Sequence, residues 1–368
     1  MTNKHPFYIK ATYILLGLFL FIGILFLLGD ILIPIALSVM IAFMLNPLVN
    51  RFEKWKIPHV LSIALVMLIA LIVFLLVGYF LTSQMISFGN DLPTLKKKFA
   101  EFSSKGQTFL LDHLNISLEK QNQWLAEAEQ GIKPIISKLM GTALGTLTVI
   151  FLLPLYTFLL LFYKKLILNF LFEIFAESNA AYVADVLEKT KGAIQSYALG
   201  LLIEGLIVAT LNSIALLILG VKYAILLGVI GAIVNVLPFI GGIIALIPPL
   251  IVATITKDGV QTQIAITACY IIIQFTDNHF LIPFIVSSRV RINALISIIV
   301  VLLGGALWGI SGMFLSIPFV GVLKIIFDRI DELKPWGKLL GDEMPTMHKG
   351  QLWRRKRKKA IVNTSVTR

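Results

Sequence analysis

From Ala11 to Val49 the chain carries a single charge, Asp30. As one helix rising about 1.5 Å per residue, this run would be about 58 Å long, roughly twice the hydrocarbon core of a bilayer. It must therefore make two passes. Gly29-Asp30 supplies the expected break, with Asp30 capping the second helix ahead of Pro34. The run is too long for a cleaved signal peptide, and a second span follows at once.

Composition leads to the same place. Of 368 residues, 58% are hydrophobic and 14% charged, and the mean hydropathy is +0.90. A soluble core stops growing near roughly 250–300 residues and cannot hide that much apolar surface. The excess faces lipid, which excludes a cytosolic enzyme, a disordered regulator and a small secreted scaffold. Cys269 is the one cysteine, so no disulfide framework or cysteine zinc site forms within one chain.

Further apolar segments run over 60–82, 141–163, 199–219, 224–255, 261–276 and 294–327. The expected fold is all-α: a polytopic membrane protein of about eight passes, with broken or re-entrant helices in its C-terminal half and a helical extramembrane hairpin. Residues 1–83 hold the first three spans, 84–141 the hairpin, 142–163 the fourth span and 164–198 cytoplasmic amphipathic helices. A core with broken helices occupies 199–328, and 329–368 form a basic cytoplasmic tail. Within the hairpin, Pro93 is expected to open one helix and Ser117 to cap the next. Val183, Leu187, Thr190, Ile194, Tyr197 and Leu201 make a stripe at helical spacing that leads into the span beginning near Leu199.

The net charge is +12, and six consecutive basic residues, 354–359, dominate the tail. That segment is too short to build a nucleic-acid-binding domain, so the partner it points to is an anionic lipid surface. Placing both termini in the cytoplasm puts 22 of the 32 Lys and Arg on that side.

No enzyme constellation is visible. The five histidines form no HExxH pair, and there is no Walker loop, GxSxG or strand-borne GxGxxG, so no metal or other cofactor is expected. What the chain has instead is polar groups where they are costly. Glu204 lies in an otherwise uncharged span, with Asn212 two turns on. Glu204 either carries a proton or ion at depth, or reaches the interface and pairs with a base. Asn212 reads best as a hydrogen-bonding link between helices. Asp277 and His279 end one apolar stretch, and Arg289 and Arg291 follow. The intervening piece with Pro283 is too short to span, so it is expected to dip in and return, with Asp277 paired to Arg289 or Arg291.

Helix-breaking residues cluster in the same half: Pro238, Gly241, Gly242 and Pro248 in one segment, Gly304, Gly305, Gly309, Gly312 and Pro318 in another. Broken helices expose backbone groups that bind ions or polar solutes near mid-membrane. The GxxxG pair Gly305/Gly309 reads as a close-packing face between helices.

These landmarks occur in a familiar order: Tyr197…Gly200…Leu219-Gly220-Val221, Leu237-Pro238-Phe-Ile-Gly241-Gly242, Gln274-Phe-Thr-Asp277…Pro283, and Gly304-Gly305-Ala-Leu-Trp308-Gly309…Pro318. Together with Leu45-Asn46-Pro47, they resemble the autoinducer-2 exporter family of PerM-like permeases. Two positions depart from that pattern. Asn293-Ala294 stand where many members have His-Pro, and Leu201 stands where many have Gln. The resemblance implies a bacterial inner-membrane secondary transporter that exports a small polar solute such as autoinducer-2. Proton or sodium coupling would run through Glu204 and Asp277, with an arginine as counter-charge, and the extramembrane hairpin makes a homo-oligomer the expected assembly. A sodium–proton antiporter of the same family and a non-transporting membrane scaffold are the alternatives.

Overall fold

The computed structural model describes residues 6–114, 117–123, 126–127, 130, 143–237, 241–257, 259–286 and 292–342. Among these the elements are helices, with no strand. In chain order they are α1 (Phe7–Leu27), α2 (Gly29–Lys54), α3 (His59–Leu114), α4 (Ala143–Phe162) and α5 (Lys164–Ile218). Then come α6 (Ala224–Asn235), α7 (Gly241–Thr256), α8 (Gln261–Thr276) with a π-helical continuation Asp277–Val286, α9 (Ala294–Phe327) and α10 (Lys334–Leu340).

Among the described residues five helices are long and apolar enough to cross a membrane, or six if the pair Phe151–Phe162 and Lys164–Ile174, bent by 61°, counts as one. The chain is a multi-pass membrane protein; the five include α9, whose helical backbone is interrupted at Trp308–Gly309, and leave out the shorter apolar helices Ala11–Leu27, α6 and α7. The first break also shifts. It falls at Leu28; Gly29 opens α2, and Asp30 lies in the first turn without a side-chain cap bond. There its charge suits the positive end of the helix.

The 224–255 segment is not one pass but a hairpin. α6 has 12 residues, about 18 Å, and α7 has 16, about 24 Å, both short of a roughly 30 Å core. Their arms run antiparallel. A Cβ on Gly231 would lie 3.6 Å from that of Ala245, and one on Gly241 would overlap the backbone of Val234 and Asn235. Only glycine lets the chain turn back so closely. The hairpin's open end starts from a glycine-terminated helix: Gly220, at φ 61°, ends α5 with Val221 N–H bonding Leu216 O at 2.9 Å and Gly220 N–H bonding Leu217 O at 2.9 Å. Tyr223, left-handed at φ 60°, then starts α6. Its hydroxyl donates to Asp91 of α3, with Lys222 at 3.9 Å from the same carboxylate and the Phe88 ring edge-on at 5.1 Å. Burial and the adjacent Asp91 push the Tyr223 phenol up to about 12, so it remains a donor at neutral pH.

α9 is the second hairpin. Trp308 (φ −132°, ψ 21°) and Gly309 (φ 60°, ψ −140°) interrupt its helical backbone. A Cβ on Gly304 would overlap the carbonyl of Gly312, and one on Gly312 that of Gly304. In a continuous helix these residues would be about 12 Å apart. Both ends therefore emerge on one side, where Asn293 caps α9 by accepting from Ile296 N–H at 2.9 Å. The Asn293 amide also donates to Leu339 O at 2.6 Å and Gly341 O at 3.1 Å. This is the position at which the resembled family often carries His. At the tip, Trp308 Nε1 donates to Leu25 O at 2.9 Å, and the indole covers Gly29. Gly309 has open space where a Cβ would stand and marks the bend, whereas Gly305 packs against the Met313 side chain of the return arm; the closest backbone approach belongs to Gly304 and Gly312.

Two helices outrun the bilayer. α3 has 56 residues and continues unbroken past residue 83, with Pro93 inside it rather than opening a new helix. Ser117 does start a second arm, its Oγ 3.5 Å from Lys120 N, and Gln121 Nε2 reaches Gln107 O at 3.2 Å. The extramembrane hairpin is therefore the extension of α3 with a return arm, whose residues 131–142 lie outside the described set. α5 has 55 residues, and the expected stripe packs inward, with Ile194 and Tyr197 buried against Met40 and Leu315. Along α5, Asp185 pairs with Arg329, just beyond α9.

Candidate functional site

Glu204 sits about 21 Å from the end of α5, at the depth reached by the tip of the α6–α7 hairpin. It is 3% exposed, and among the described residues it is not paired with a base. Asp277, 1% exposed, projects from the start of the π-helical segment. Asn235 joins them. Its Nδ2 donates to Glu204 Oε1 at 3.1 Å and to Asp277 Oδ2 at 2.9 Å. One amide thus spends both its N–H groups holding two carboxyls together in the interior.

Each participant is placed by a local peculiarity. Asn235 is the last residue of α6, and the close turn at Gly241 packs against its backbone. Gly242 admits the Gln274 side chain from α8; a Cβ there would overlap that amide. The wider π-helical winding starts at Asp277 and continues the 16-residue α8 to form the 25-residue span Gln261–Ile285. This corrects the dip-and-return expectation for 277–286. Pro283 is absorbed inside the wide turns, where backbone pairing is already shifted.

The other expected site residues divide clearly. Asn212 is buried on the same face of α5, two turns from Glu204, and neighbours Gly231. His279 turns away: it is exposed, stacks on Phe275 at 4.2 Å and bonds Phe275 O at 3.0 Å. Arg289, Arg291 and Pro238 lie outside the described residues. Gly241 and Gly242 form the closing turn of the first hairpin, and Pro248 lies inside α7. Gly304, Gly305, Gly309 and Gly312 form the second hairpin, with Pro318 buried in its return arm. Asn235 was missed in the sequence, although a lone amide between Val234 and Val236, just before Leu237-Pro238, was the signal for it. No group of three or more His, Cys, Asp or Glu able to hold a metal occurs among the described residues.

This arrangement has known relatives. A family model described as AI-2E family transporter matches residues 14–332. The Bacillus subtilis (strain 168) "Putative transport protein YueF" is 27% identical over 337 residues, 88% of this chain and 89% of that protein. "AI-2 transport protein TqsA" of Escherichia coli (strain K12) is 24% identical over 305 residues, 82% of this chain and 86% of its own length. "Putative permease PerM" of the same strain is 26% identical over 316 residues, covering 83% and 88%. The matched stretch takes in both hairpins and the two carboxyls with their bridging amide, and the chain belongs to the AI-2E transporter family.

Proposed function

We propose that this transporter exports a small polar solute such as autoinducer-2 across the bacterial inner membrane, driven by a proton or sodium gradient. Glu204 and Asp277 are the coupling groups. The observation that carries this reading is the Glu204–Asn235–Asp277 bridge at the tip of a hairpin that enters the membrane without crossing it. Two like charges side by side in low dielectric repel, and one proton or one cation between them relieves the repulsion. Loading and unloading that charge would bias the hairpin tip, because Asn235 belongs to it. The relative named "AI-2 transport protein TqsA" supports the solute class. The excess of Lys and Arg on the side assigned to both termini supports an orientation with those termini in the cytoplasm.

A sodium–proton antiporter is the second reading, favoured by the same two carboxyls with an amide between them. The deciding experiment uses purified protein in liposomes: efflux of labelled autoinducer-2 under an imposed proton gradient, with and without sodium. Gradient-driven efflux is expected, and Asp277→Asn and Glu204→Gln are expected to abolish it while leaving the protein folded. Proton movement on adding sodium, without solute flux, would select the antiporter. Unchanged flux in both variants would remove the carboxyls from the mechanism.

A further inference from the structure

A second polar level lies beside the carboxyl pair, along the same three helices. Asn212 of α5 is 2% exposed and Tyr270 of α8 is 6% exposed. Neither Asn212 Oδ1 nor the Tyr270 hydroxyl has a protein hydrogen-bond partner. Both face one glycine of α6: a Cβ on Gly231 would lie 3.4 Å from Asn212 Nδ2 and 3.7 Å from Tyr270 Oη. With no side chain on Gly231, the Asn212 amide and the Tyr270 hydroxyl both come close to the α6 backbone.

The levels are ordered along the helices. Gly231 is one turn of α6 from Asn235, about 6 Å, and Tyr270 is about 10 Å along α8 from Asp277. Moving from the pair through Gly231 leads toward Tyr223, Lys222 and Asp91 at the hairpin's open end. One turn past Asn212 on α5 the character changes. Leu216 is 0% exposed and packs in an apolar cluster with Val221, Ala224, Leu227, Ala253 and Tyr270.

A buried polar atom without a partner is costly, and water with two or more polar partners removes that cost. We propose that Asn212, Gly231 and Tyr270 form a chamber that binds water beside the carboxyl pair. Water there donates to Asn212 Oδ1 and exchanges hydrogen bonds with the Tyr270 hydroxyl. The site rests on the coupling role of Glu204 and Asp277 for its purpose, since water held there sits beside the groups that would carry the proton or ion; its hydration stands independently.

The test uses the lone cysteine. In a Cys269→Ala background, Asn212→Cys, Gly231→Cys and Leu216→Cys are reconstituted separately and exposed to silver ion, with the remaining thiol titrated over time. Thiolate forms in water rather than in hydrocarbon, so the 212 and 231 thiols are expected to react at least about tenfold faster than the 216 thiol. Gly231→Cys is the safeguard should Asn212→Cys fold poorly, because its Cβ meets only ordinary contacts. Equal, slow reaction at all three positions would overturn the proposal. Fast reaction at 212 and 231 with transport unaffected by Asp277→Asn would keep the wet chamber and overturn the coupling reading. Inert thiols with transport abolished by Asp277→Asn would do the reverse.

Discussion

The two hairpins are built alike and finished differently. Both reverse within the membrane, and both depend on glycines through which opposing backbones touch: Gly241 against Asn235 in the first, Gly304 against Gly312 in the second. The first presents a polar tip, where Asn235 grips two carboxyls. The second presents an indole, and its tip bond is a single one from Trp308 to the carbonyl of Leu25 at the α1–α2 joint. One architecture thus yields a polar, carboxyl-binding tip and an apolar one. The lesson is that the turn makes the hairpin, and the residues flanking the turn decide what it does.

Breaking the turn itself should have the largest effect. Gly312→Val places a Cβ into the Gly304 carbonyl, a backbone clash that no rotamer relieves. A cost above about 3 kcal/mol is expected, seen as loss of monodisperse protein in detergent. Gly205→Ala, with nothing within 4 Å of the added carbon, is expected to stay within about 1 kcal/mol of the parent. Equal tolerance of the two changes would refute the reversal at Trp308–Gly309.

Changing the polar tip should come next. Asn235→Ala removes two hydrogen bonds to carboxyls, each worth about 1.5–3 kcal/mol when the acceptor is charged. A lower melting temperature is expected together with slowed gradient-driven efflux, and an unaffected efflux would show that the bridge is only structural. The apolar tip should respond least. Trp308→Phe keeps most of the ring and loses one hydrogen bond, for about 1 kcal/mol, with transport retained. A transport defect as deep as that of Asn235→Ala would erase the distinction between the tips.

Much of this was legible in the sequence because its causes are local. A charge in an apolar run is visible as such, so Glu204 and Asp277 could be singled out, and Gly/Pro clusters marked both hairpins. What bridges the carboxyls was not legible: Asn235 and its partners are separated by 31 and 42 positions, and their meeting depends on the α6–α7 reversal. The π-helical segment was obscured for another reason. Asp277-Asn278-His279 followed by Pro283 looks like the end of a span if every helix winds at 3.6 residues per turn, whereas a wider turn carries the chain on. The α9 run is a third case. Its 34 residues, mostly apolar, suit a tilted span or two folded arms equally, and the left-handed Gly309 decides between them.

α5 touches both hairpins. Ile194, Tyr197 and Ala198 lie with Leu315 of the second, the Tyr197 hydroxyl donating to Phe314 O at 3.3 Å, while Glu204 and Ser213 meet Asn235 and Gly228 of the first. Such a helix works as a shaft. Advancing it by one residue moves it about 1.5 Å and turns it about 100°, enough to swing Glu204 off the Asn235 amide. The same stroke would pull Tyr197 from its seat below. A shift of this one helix along its axis would therefore loosen its contacts with both hairpins together.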